Sequence, residues 1–287
     1  MSHDPSAQAK GDWEVYLVEY ARSHQQAAAS LIFGIFRDPP VDLPFGFVLA
    51  RANGRVVLCD CGFMNEGHGA EIAKKFGIPH WISPVTMLGD IGVSPADVTD
   101  VVVSHAHFDH MGTIDQFPKA RIHLQRSELL SSIEAMALPP RYGVLAEILN
   151  PDDILAAVSA TREHRLNLIE GDQDDVLPGL HVRFAPGHTL GQQFVLLDTP
   201  KGRFAVAGDC IYSQRNLTGD GGGHDHQRYV PLGTAHGSTW DQFRSFDKLE
   251  RSVAGDRSRI IILHDHTRWA HLERVASRGD FGIYRVA

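Results

Sequence analysis

Apolar residues in this chain gather in short runs, and most runs have the length and β-branched content of strands rather than helices. Residues 14–20 (E-V-Y-L-V-E-Y) form the first such run. Segments 45–50 and 55–61 flank Asn53-Gly54, a pair that favours the tight turn of a β-hairpin. Strands are also predicted at 98–103, 121–125, 180–184, 204–209 and 259–265, and Thr199-Pro200-Lys201-Gly202 closes a second hairpin. Longer stretches at 69–76, 127–137, 152–161 and 240–253 predict helices. Ser94-Pro95-Ala96-Asp97 reads as a helix start, with a serine cap, a proline in the first turn and an acid three residues on. Hairpins interleaved with helices fit packed sheets with outer helices better than a doubly wound sheet. No internal repeat is visible.

Four of these strands run into side chains able to ligate a metal. The apolar run 98–103 leads into S-H-A-H-F-D-H-M-G, which places His105, His107, Asp109 and His110 within six residues. So short a backbone cannot wrap four donors around one tetrahedral ion, but the four can face two ions lying side by side. Segment 180–184 leads to Pro186-Gly187-His188, segment 204–209 ends at Asp209, and segment 259–265 carries His264. One such strand end would be weak evidence; four are hard to explain as packing. His266 lies two residues beyond His264 and rivals it, but His264 directly ends the apolar run. Asp265 and His266 are then candidates for the outer layer that orients ligands. His123, His164, His181 and His271 read as ordinary polar surface residues.

The ordered set H-x-H-x-D-H at 105–110, P-G-H at 186–188, G-D at 208–209 and His264 resembles the metallo-β-lactamase superfamily, over roughly 47–266. The resemblance implies an α+β fold, an αββα sandwich of two mixed sheets with helices outside and metals at one edge. It implies that His105, His107 and His188 hold one metal, that Asp109, His110 and His264 hold a second, and that Asp209 bridges them. Nitrogen and oxygen donors without thiolate suit zinc, so two divalent ions, zinc foremost, are the expected cofactors.

Finer features narrow the branch. His107, where the di-iron redox branch carries Glu, favours hydrolysis, and Asp209 stands where β-lactamases of this fold generally carry Cys. Tyr212, three residues after Asp209, resembles the N-acyl-homoserine lactone lactonases, in which the phenol hydrogen-bonds the substrate's carbonyl oxygen. The implied activity is lactone hydrolysis by a hydroxide held between the metals, with Tyr212 stabilising the oxyanion and Asp109 protonating the leaving alkoxide. A mononuclear iron persulfide dioxygenase and a glyoxalase-II-type thioesterase share most of the pattern. The thioesterase motif has a histidine where this chain has Ala106.

Composition narrows the remaining classes. Charged residues make up 22% of the 287 residues and apolar ones 43%, as in an ordinary globular protein. A net charge of −8 with scattered basic residues argues against a nucleic-acid surface and against a nuclease-type phosphodiesterase. No apolar run is long enough to span a bilayer. The polar segment 1–10 lacks the apolar core of a signal peptide, and the odd cysteine count suggests free thiols, so a cytoplasmic location is expected. Cys59 and Cys61, two apart on a strand, are expected to point the same way. Cys210 reads as a small buried residue. Because the proposed ligands must converge, 1–287 is expected to be one domain, with 1–44 an N-terminal extension and first strand, and 213–239 a loop near the site. The apolar run 27–36 suggests core or a homodimer contact. The loop 219–226, with His224 and His226, reads as a polar connection or a rim over the pocket.

Overall fold

The computed structural model describes residues 11–52, 54–219 and 228–287. Asn53 of the first hairpin lies outside them, as do 1–10 and all of the 219–226 loop except Gly219. Fourteen strands form two mixed sheets among the described residues. They are β1 (Glu14–Gln26), β2 (Val41–Ala52), β3 (Arg55–Cys59), β4 (His80–Trp81), β5 (Asp100–Val102), β6 (Arg121–Gln125), β7 (Leu166–Ile169), β8 (Gln173–Leu177), β9 (Leu180–Phe184), β10 (Gln193–Thr199), β11 (Gly202–Val206), β12 (Ile260–Ile261), β13 (Glu273–Arg278) and β14 (Phe281–Arg285). The larger sheet has the order β13-β14-β1-β2-β3-β5-β6-β7, with β4 pairing to β1. The smaller sheet has the order β12-β11-β10-β9-β8.

Side-chain alternation builds four layers from these sheets. Along β1, Tyr16, Val18 and Tyr20 face one core with Ile72, Leu88, Leu129 and Ile154 of the outer helices. Val15 and Leu17 face the opposite way, onto Val182, Val195 and Leu197 of the smaller sheet. The smaller sheet turns Phe194 and Leu196 outward onto Phe246 and Leu249 of helix Thr239–Ser252. The result is the αββα sandwich that the sequence implied.

Pairing direction decides where the chain's polar loops collect. Strands β3, β5, β6 and β7 run parallel, so their C-terminal ends reach one edge of the larger sheet. Strands β11 and β12 are parallel as well, and they open onto Asp209 and His264. The stretch carrying His264 has only two residues in register as a strand; the chain then leaves the sheet.

Several expectations are corrected. Cys59 and Cys61 do not share a face: Asp60, with φ of +58°, breaks the strand between them, and each thiol enters a different core. Ser94-Pro95-Ala96-Asp97 forms its capping box but yields only a 3-10 turn, because β5 starts at Asp100. His123 and His181 are buried rather than surface residues, each against a carboxylate: Asp100 at 2.9 Å and Asp198 at 3.1 Å. The run 27–36 divides: Ala28 and Ile32 are buried, whereas Phe33 and Phe36 stand 59% and 77% exposed.

One buried acid carries a testable pH dependence. Asp153 opens helix Pro151–Ser159, and its Oδ1 accepts a 2.9 Å bond from Asn150, but Oδ2 has no partner among the described residues. Burial, with the nearby Asp115 and Asp152 charges, pushes its carboxyl up to about 8 from an ordinary 3.8. A pKa raised by folding means that the native state prefers the protonated acid. Stability is therefore fully present below pH 4 and is lost as pH rises towards 8. Asp153→Asn should remove that loss, by up to about 1.4 kcal/mol for each pH unit crossed in the window. Urea unfolding of both proteins at pH 5 and pH 9 tests this; a difference independent of pH would refute it.

Candidate metal centre

All seven side chains singled out at strand ends meet at the edge where the two sheets open. His105, His107, His188 and Asp209 bring one ligand atom each within 4.8 Å of one another, and Asp109, His110 and His264 do the same beside them. His105 Nε2 and His188 Nε2 approach His107 Nδ1 to 2.9 and 3.0 Å. Asp209 stands between the groups. Its Oδ2 is 3.3 Å from His188 Nε2 and 3.8 Å from His105 Nε2. Its Oδ1 is 3.3 Å from His110 Nε2 and 3.2 Å from His264 Nε2. Asp109 Oδ2 completes the second group, 3.3 Å from His110 and 3.7 Å from His264. His266 lies elsewhere, 2.7 Å from the buried Glu19.

Backbone geometry brings these loops together. Gly208 has φ of +53°, and a Cβ there would lie 2.7 Å from Ser104 Cβ, so the chain entering Asp209 passes against the residue before His105 only without a side chain. Tyr20 donates from its hydroxyl to the Asp109 carbonyl at 3.0 Å.

An outer layer of acceptors sets which imidazole nitrogen faces inward. His110 Nδ1 donates to Asp60 at 2.8 Å, and His264 Nδ1 donates to the Pro44 carbonyl at 2.8 Å. His188 Nδ1 faces the Thr234 carbonyl at 3.3 Å. Protons held on these outward nitrogens leave Nε2 lone pairs for the centre. Asp60 also accepts from Ser104 N and Oγ, and Ser104 Oγ meets His105 Nδ1 at 3.0 Å. Sequence reading missed Asp60, although it too follows a strand. Among the described residues Asp265 makes no hydrogen bond to the ligand histidines; it accepts from Ser213, Gln214 and Thr267 and so fixes the turn after Tyr212.

The site's electrostatics divide along the same line. Burial, and then the crowding of neighbouring imidazoles, hold His105 and His107 well below the ordinary histidine range. Burial pushes His188 down to about 4 against the pull of Asp209. These three are neutral at pH 7, the form that ligates. Burial also opposes charge on His110 and His264, but Asp109 and Asp209 outweigh it and raise both. Burial would raise Asp209, yet His110 and His264 hold it well below the carboxylate range. His110 Nε2 and Asp209 Oδ1 are buried with no hydrogen-bond partner among the described residues. Inward lone pairs, orphaned buried atoms and a shared carboxylate fit divalent cations.

A match to the metallo-beta-lactamase superfamily model spans residues 47–258. The chain belongs to this superfamily. An N-acyl homoserine lactonase of Bacillus cereus is 32% identical over 134 residues, which is 46% of each chain. The N-acyl homoserine lactonase AttM of Rhizobium radiobacter is 28% identical over 196 residues, 66% of each chain. The matched stretches thus span 46% and 66% of these relatives' lengths. Among solved structures, an N-acyl homoserine lactone hydrolase with N-hexanoyl-L-homoserine at its metal centre superposes with a TM-score of 0.69 at 21% identity, over 92% of this chain and 98% of that one. AidC, a dizinc quorum-quenching lactonase, gives 0.64 at 18% identity, over 97% and 95%. At such identities the structures speak for the shared fold.

Tyr212 sits over the junction, its ring 5.6 Å from that of His188 and 5.7 Å from that of His264. Two cavities reach the centre. One, of about 110 Å³, is walled by Leu31, Leu43, Phe45, Phe76 and Ile78 and meets Asp109, Tyr212 and His264. The other, of about 220 Å³, lies beyond His107, between Leu138, Leu149, Leu190 and His236. Cys210 is buried away from both.

Cations bound only by the folded chain add stability by mass action, about 4 kcal/mol at a thousandfold excess over Kd. They must also displace protons from His110 and His264, so affinity should weaken as pH falls through those raised pKa values. Chelator-stripped protein should therefore melt lower, recover with Zn2+, and release protons on reloading. Proton-silent reloading with an unchanged melting temperature would contradict the assignment.

Proposed function

We propose that the chain is a metal-dependent hydrolase that opens a lactone ring, with N-acyl homoserine lactones as its substrate class. The observation that carries this reading is Asp209, which offers one carboxylate oxygen to each donor group beneath the Tyr212 phenol. In this reading His105, His107 and His188 would hold one cation and Asp109, His110 and His264 the other, with Asp209 available to both. The all-nitrogen-and-oxygen donor set favours zinc. Such a pair, when bound, supplies Lewis acidity and lowers the pKa of water towards neutrality.

The chain's own residues supply the rest. Burial first, and then the Asp209 and Asp109 charges, hold the Tyr212 phenol well above its ordinary range, so it keeps its proton. Its O–H donates to the lactone carbonyl oxygen as negative charge builds there. Asp109 faces the same cavity: as the oxygen of a water molecule bonds to the carbonyl carbon, its carboxylate takes that water's proton and hands it to the ring oxygen as the ring C–O bond breaks. The apolar wall of Leu31, Leu43, Phe45 and Ile78 keeps water from an acyl chain and gives that chain somewhere to lie. The names carried by the relatives in Bacillus and Rhizobium support this substrate class, and ring opening would silence a quorum signal. Three buried unpaired thiols support a reducing, cytoplasmic setting. Exposed Phe33 and Phe36 support a second copy as partner.

A persulfide dioxygenase would need one donor group and leave Asp109, His110 and His264 without a task. A glyoxalase-II-type site would want a histidine at Ala106. The deciding assay quantifies metals in the purified protein and measures hydrolysis of homoserine lactones, an aromatic lactone and a glutathione thioester. Two cations per chain and cleavage confined to lactones are expected; one iron per chain with persulfide oxidation would overturn the reading. Tyr212→Phe should keep both cations and lose about 10–100-fold in turnover, the worth of one hydrogen bond to a developing charge. Unchanged turnover would remove Tyr212 from the mechanism.

A further inference from the structure

The two loops that carry the first donor group are tied together by one buried carboxylate that the reading above does not use. Glu128 lies three residues past β6, in the first turn of helix Arg126–Ala137, and is only 1% exposed. Its Oε1 accepts the N–H of Ala106 at 2.9 Å, and Ala106 lies between His105 and His107. Its Oε2 accepts the Thr189 hydroxyl at 2.8 Å and the Gly191 N–H at 2.9 Å, in the loop just past His188. A Cβ on Gly191 would lie 2.1 Å from Glu128 N, so the second loop comes this close only because residue 191 is glycine. The second donor group hangs from other anchors: Asp60 holds His110 (and, through Ser104, also touches His105), the Pro44 carbonyl holds His264, and Tyr20 holds the backbone of Asp109.

We propose that Glu128 is a positioning residue for the first cation alone. Through three hydrogen bonds it holds the His105–His107 loop and the His188 loop at the separation that a single ion requires. This rests on the metal reading given above. It predicts unequal sensitivity: loosening Glu128 should spoil the His105, His107 and His188 group and spare its neighbour. A merely structural acid would weaken the fold and both groups together.

Glu128→Gln replaces one acceptor oxygen with an NH2 that in either orientation faces a backbone N–H, that of Ala106 or that of Gly191, while the volume stays nearly the same. The experiment titrates cobalt into stripped full-length protein against a competing chelator. Absorption bands of each binding step are assigned with His188→Ala and His110→Ala. In Glu128→Gln the step lost in His188→Ala should weaken by about 10–100-fold, as when an outer-layer partner of a ligand is removed. The step lost in His110→Ala should be unchanged, and circular dichroism should match the parent. Thr189→Val removes one of the three bonds without adding a misplaced donor, and should weaken the same step by a smaller factor. It carries the test if Glu128→Gln does not fold. Equal weakening of both steps, or parental binding at both in a folded variant, overturns the role of Glu128. A parent that binds no cation pair overturns the metal reading itself, and this proposal with it.

Discussion

Five imidazoles and two carboxylates crowd a buried corner in which most of their inward atoms have only one another to face. Ionisable groups in such a place are costly unless something of opposite charge answers them. Within the described residues the answer is partial. His110 and His264 offset Asp209, while His105, His107 and His188 meet through lone pairs at about 3 Å, which cannot bond one another without a proton or a cation between them. The site is thus built for cations, and its shape must be imposed from outside by groups that take no part in the chemistry.

That imposition comes from strand direction. Parallel β3, β5 and β6 empty onto one edge and deliver Asp60, the His105–His110 loop and Glu128 side by side. The facing sheet delivers Asp209 and His264 from parallel β11 and β12. Loops at the carboxyl ends of parallel strands are free of ladder bonding and gather without being sequence neighbours. A hairpin-only sandwich would send half of these ends to the opposite edge.

The same logic explains what could be read from the chain. Apolar runs ending at His or Asp stand out because both sides of the pattern are extreme, and the αββα arrangement followed from the motifs they form. Two of the strands that escaped had no such contrast. β13 is exposed along much of its length and carries no apolar alternation, so it looks like a loop until β14 pairs with it. β8 begins Gln-Asp-Asp for the same reason. His123 and His181 looked like surface residues because the aspartates that bury them, Asp100 and Asp198, lie 23 and 17 positions away. Glu128 falls inside a predicted helix and is not singled out there; only the fold shows that three donors surround it.

Buried acids therefore play opposite parts in this protein, and their partners decide which. Asp209 keeps its charge well below the ordinary range because two raised imidazoles face it. Asp153 has, among the described residues, one amide partner and two acidic neighbours, and is pushed up to about 8. Glu128 lies between them: burial raises it, and three donors from the ligand loops pull it back. Its bonds reach backbone and hydroxyl groups, which do not titrate as imidazoles do. A carboxylate answered by fixed dipoles can hold loops still while the charges beside it change through a reaction cycle.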